Sequence, residues 1–179
     1  SRSTIDAEAE ARTKAAIAPL DDLLRELAAG VEDVLEAAPA DRPRLADCLI
    51  ARTAAWAEAD ALSDQGSQTV RLTVGARLAA FAIVTREAAR YSRDARGRAA
   101  IRDWLARRME EQMRYWEIAP DGAAQGNLRA WAALAGAATA DLTGDPVLRG
   151  WAAWSTAYVL CTANPDGSLP QEMSRGRYA

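Results

Sequence analysis

Apolar residues recur at helical spacing along almost the whole chain, and that period points to a fold of packed helices. Composition agrees. Half of the 179 residues are apolar, many of them Ala, the strongest helix former. Val, Ile, Phe and Tyr are scarce, so there is little material for strands. The length suits one domain, residues 1–179, with a sizeable core.

The period divides the chain into segments. A first helix is expected from about Thr4 to Asp6, with Asp6 as its N-cap and Ile17, Leu20, Leu23, Leu24 and Leu27 on one face. Pro19 is a candidate kink, and Gly30 a candidate break before Val31 to Ala38. Further helices are expected over about 44–62, 69–91, 99–118, 128–139 and 147–161. The loops between them include SDQGS at 63–67 and APDGAAQ at 119–125, and NPDG at 164–167 is a strong turn signal. Antiparallel helix pairs joined by short loops fit a bundle or an incomplete helical toroid. The inward stripes predict Leu23, Leu49, Leu78, Phe81, Leu105, Leu134 and Val159 as core.

The net charge of −3 is too small to imply nucleic acid or a membrane surface as partner. No apolar run is long enough to span a bilayer. Lys14 is the only lysine, so the cations are almost all arginines, which can grip a carboxylate bidentately. Histidine is absent, which removes it from every catalytic role. No metal-ligand cluster is visible, and neither a metal nor a cofactor is expected. Cys48 and Cys161 lie in apolar helical stretches and read as buried free thiols.

Two segments carry chemistry. GNLRAWAALAGAA, Gly126 to Ala138, opens a helix with Asn127 at its N-cap and Arg129 in its first turn. A capping Asn is an ordinary helix start, but an amide and a guanidinium there also suit a carboxylate. DGSLPQEMSRGRYA, Asp166 to Ala179, reads as a turn and a helix start, with Pro170 at N1 and Glu172 near N3. Arg175 and Arg177 are then ordinary solvated charges. Six Trp accompany these segments, and Trp116, Trp131, Trp151 and Trp154 surround the first of them. Each is either packing or a face for a sugar ring, and at least one of the four is expected to be partly exposed.

Together these segments resemble the alginate lyase family, polysaccharide lyase family five and its relatives. That family carries Asn-Asn-His-x-Tyr-Trp-Ala at a helix start and D-G-x-L-P-x-E-x-x-R-G about one helical hairpin later. Asp166, Gly167, Leu169, Pro170, Glu172, Arg175 and Gly176 match the second motif. In the first, Gly126 and Asn127 stand for the Asn pair, Leu128 for the His and Ala130 for the Tyr, while Trp131 is kept. The resemblance implies an all-α, incomplete (α/α) toroid of antiparallel helical hairpins. It implies β-elimination on alginate or a related polyuronate, or a non-catalytic polyuronate-binding module of the same fold. The expected catalytic residues are Asn127, Arg175 and Tyr178. The expected substrate contacts are Arg129, Trp131, Trp116 and Arg177. The partner is an anionic polysaccharide and the location periplasmic or secreted. The family's catalytic Tyr falls beyond Ala179, so the chain reads as a fragment of a longer protein.

Overall fold

The computed structural model describes residues 7–173, and all regular structure among them is helical. The elements are α1 (Ala7–Glu36), α2 (Arg42–Glu58), α3 (Gln68–Ala89), α4 (Ala95–Glu117), α5 (Asp121–Ala124), α6 (Asn127–Thr143), α7 (Pro146–Cys161) and α8 (Pro170–Met173). The Asp6 cap, Arg175, Arg177 and Tyr178 lie outside the described residues.

Local chemistry sets most of the helix ends. Ser67 caps α3 through Val70 N–H, Asp94 caps α4 through Gly97 N–H, and Asp145 caps α7 through Val147 and Leu148 N–H. Asp47 of α2 clamps the α3–α4 loop, with one carboxylate oxygen accepting from the Ser92 hydroxyl (2.6 Å) and from the amides of Arg93 (2.7 Å) and Asp94 (3.1 Å). This anchoring lets α4 start four residues earlier than the sequence suggests. α2 stops at Glu58 because Asp60 turns left-handed (φ 50°) and Ala61 N–H bonds back to the Trp56 carbonyl. The Ala61 carbonyl then accepts from the Trp104 indole N–H at 2.8 Å.

Neither Pro19 nor Gly30 interrupts α1. Pro19 is exposed, so the carbonyl it leaves without a helical partner can face water. Gly30 serves packing: a Cβ there would sit 2.5 Å from Leu49 Cδ2. A short helix, α5, replaces the expected 119–125 loop.

The long helices form three hairpins, α1/α2, α3/α4 and α6/α7. They stack side by side in two rows, α1–α3–α6 and α2–α4–α7, as in an incomplete (α/α) toroid. The closest seam is α3 on α6. A Cβ on Gly75 would lie 2.9 Å from the Ala132 backbone, so only glycine permits this approach.

The core includes Leu23, Leu49, Leu78, Phe81, Leu105 and Val159 as expected, but Leu134 is 41% exposed. α6 buries Ala132, Ala135, Gly136 and Ala138 instead. Where two backbones approach this closely, small residues fill the seam and Leu turns outward. The two thiols also depart from expectation, since Cys48 and Cys161 are both free and exposed.

Candidate functional site at the start of helix α6

The N-termini of α3 and α6 and the C-termini of α4 and α7 gather at one end of the array. Cross-links mark the gathering: Gln112 to the Arg71 carbonyl, Arg129 to the Trp116 carbonyl, and Gln125 to the Tyr158 hydroxyl.

The two sequence motifs meet here. Asn127 is the first residue of α6 and Gly126 its cap, so Asn127 does not cap the helix with its side chain. The Glu172 carboxylate does that work from α8, accepting Asn127 N–H at 3.0 Å. A Cβ on Gly126 would come 2.6 Å from Glu172 Oε1, so a larger residue would push the carboxylate aside. Asp166 and Gly167 build the turn that delivers α8. Asp166 accepts from Ser168 N–H (2.9 Å) and hydroxyl (2.7 Å), which hold its carboxyl below the usual range, and Gly167 takes a positive φ of 84°. The D-G-x-L-P-x-E string is therefore a bracket for the α6 N-terminus.

The Asn127 carboxamide makes no hydrogen bond among the described residues, and its Oδ1 is buried without a partner. Trp131 stands one turn further along the same face of α6 and is 46% exposed. Leu128, which the resemblance sets against the family's His, is half-buried against the core.

Arg129 faces away from this surface, because two residues along a helix turn a side chain by about 200°. It is only 2% exposed. Its guanidinium donates to Ser155 Oγ (3.2 Å), the Trp116 carbonyl (3.4 Å) and Glu117 (3.5 Å), and lies over the rings of Trp154 (4.5 Å) and Tyr158 (5.1 Å). Burial works against its charge and the neighbouring Glu117 and Tyr158 support it. This arginine staples α4, α6 and α7 together and has no face left for a substrate. Trp116 is likewise buried, its indole N–H bonded to Gln112 at 3.1 Å. Both residues expected as substrate contacts are thus buried in the packing between helices.

Sequence reasoning missed Tyr158. Its ring stacks on the half-exposed Trp154 (5.5 Å, 18°), and its hydroxyl accepts from Gln125 Nε2 (3.4 Å), whose Oε1 accepts from Gln171 (3.0 Å). The available signal was the i, i+4 spacing of Trp154 and Tyr158, which sets both on one face of α7.

The model of the alginate lyase family matches residues 69–179, from the start of α3 onward and more than half of the chain. The chain belongs to the alginate lyase family. No curated protein matches it. The family segment thus comprises the two hairpins α3/α4 and α6/α7 with the bracket on α6, while α1 and α2 extend the two rows in front of it. No described helix is long and apolar enough to cross a membrane.

Proposed function

We propose that this alginate-lyase-family chain takes a uronic-acid polymer at the start of α6 and acts on it by β-elimination. The observation that carries the reading is the family match over residues 69–179. The unspent Asn127 carboxamide at a helix N-terminus and the half-exposed Trp131 on the same face support the location.

The chemistry follows from the substrate. A base removes the C5 proton beside the uronate carboxylate, the glycosidic C4–O bond breaks, and a C4–C5 double bond forms. An acid protonates the departing oxygen. Charge developing on the carboxylate side must be stabilised. In this reading the Asn127 amide and the Arg175 guanidinium neutralise the carboxylate. Trp131 stacks on a sugar ring, and Arg177 contacts a neighbouring uronate. Proton transfer falls to a tyrosine, Tyr178 by its place in the motif or Tyr158 by its place beside Gln125.

Leu128 favours a second reading, a polyuronate-binding module. An alkyl side chain neither moves a proton nor bonds a carboxylate. Turnover by residues 1–179 is therefore expected to be slow, with weak binding retained. The test is ultraviolet absorbance of the unsaturated product with alginate and other polyuronates, run beside calorimetric binding. Binding that disappears in Asn127→Ala supports the site; no affinity for any polyuronate overturns both readings. In this reading the protein works where such a polymer is met, in the periplasm or outside the cell.

A further inference from the structure

The opposite end of the array carries a different cleft. It encloses about 400 Å³ between the end of α3, the start of α4 and the end of α6, and is lined by Arg86, Arg90, Arg98, Arg102, Asp141 and Thr85 among others. Roughly 21 Å of helix separates Asp141 from Asn127. Four guanidiniums face one carboxylate here, in a chain of net charge −3.

The carboxylates nearby are already engaged. Asp141 is held by Arg86 (3.2 Å) and Arg149 (3.0 Å). Glu87 takes Arg86 (3.1 Å) and Arg90 (2.9 Å). Arg98 reaches only the carbonyls of Ala89 and Ser92, and the exposed Arg102 has no carboxylate partner among the described residues. These two arginines stand one turn apart on the same face near the start of α4. The helix dipole there adds to their positive field, opposed at the cap by the Asp94 carboxylate, which is spent on Gly97 N–H. A second observation points the same way. Thr85 lines the cleft, yet its hydroxyl is buried without a hydrogen-bond partner.

We propose that this cleft binds an oxyanion, a carboxylate or phosphate group, which Arg98 and Arg102 hold through charge-assisted hydrogen bonds above the Thr85 hydroxyl. The site is separate from the α6 start, and it stands whether or not the chain is a lyase. Inorganic phosphate and a trimeric uronate are the two probes, titrated by calorimetry into the chain carrying Asn127→Ala, which silences the other site. Backbone NMR shifts at Arg98 to Arg102 locate the binding. The double variant Arg98→Gln, Arg102→Gln is expected to weaken the bound probe at least about tenfold. Thr85→Val, which keeps the shape and removes the hydroxyl, is expected to weaken it several-fold. Phosphate binding with these losses assigns the site to small free oxyanions. Uronate binding with the same losses, uncontested by phosphate, assigns it to a second stretch of polysaccharide. If neither probe binds, or if the variants bind as tightly as their parent, the proposal is overturned.

Discussion

At the scale of single residues, Leu128 and Arg129 show how neighbours on one helix acquire opposite tasks. Leu128→His would put an imidazole beside Asn127, where the resemblance sets the family's His. A general acid–base group contributes about 100- to 10,000-fold, so this variant is expected to raise turnover by about 100-fold, read as unsaturated product. An unchanged rate would place the missing proton transfer elsewhere. Tyr158→Phe and Tyr178→Phe then divide that task, since only the hydroxyl in use lowers the rate when removed. Arg129 sits in the packing instead. Arg129→Ala cuts its bonds to Ser155, the Trp116 carbonyl and Glu117 and bares the Trp154 and Tyr158 rings. It is expected to cost about 2–4 kcal/mol in urea unfolding. A loss under about 0.5 kcal/mol would show that the staple is idle. Nothing in GNLRAW tells these roles apart by residue type, because an exposed arginine and a buried one read alike. The angle between positions 127 and 129 on a helix is what sets Arg129 away from the Asn127 face.

At the scale of elements, glycine positions separate propensity from packing. Ala exceeds Gly in a helix interior by about 1 kcal/mol. At Gly150, where a Cβ would meet nothing within 4 Å, that gain is expected to appear: Gly150→Ala should stabilise by about 0.5–1 kcal/mol. At Gly75 the added Cβ would press on the Ala132 backbone at 2.9 Å. Backbone cannot step aside as a side chain can, so overpacking of about 1–3 kcal/mol outweighs the propensity gain. Gly75→Ala should lower the melting temperature, and a rise in melting temperature would show that α3 and α6 separate freely. Helix existence, and phase at most of the expected core positions (Leu134 is the exception), were legible from the apolar period, since they depend on residues three and four apart. Close approach was not, because it is a property of two helices. For the same reason Gly30 looked like a break and proved to be a contact with Leu49.

For the whole molecule, acid sensitivity follows from carboxylates that tie elements together. The Ser92 hydroxyl and the amides of Arg93 and Asp94 hold the Asp47 carboxyl below its ordinary value. Arg149 and Arg86 do the same for Asp141. A carboxyl with a depressed folded pKa lends stability above its unfolded value and loses it as pH falls through the folded one. The loss from these two carboxyls is therefore expected below about pH 4. Melting temperature followed from neutral pH down to about pH 3 checks this, and Asp47→Asn should flatten part of the fall. A decline already complete well above that range would mean that other groups govern acid unfolding.

The sequence by itself determined that the chain is all helix, where most helices turn, and that residues 166–176 carry the family's motif. Each of these rests on local spacing: an apolar period, a capping side chain, an NPDG turn, a Pro at the first position of α8. Only the tertiary structure decided that Glu172 seats Asn127 from 45 residues away, that Trp116 and Arg129 are buried, and that Leu134 turns out while alanines fill the seam. Those outcomes depend on which backbone arrives at each helix face, and at what distance. A one-dimensional period carries no record of either.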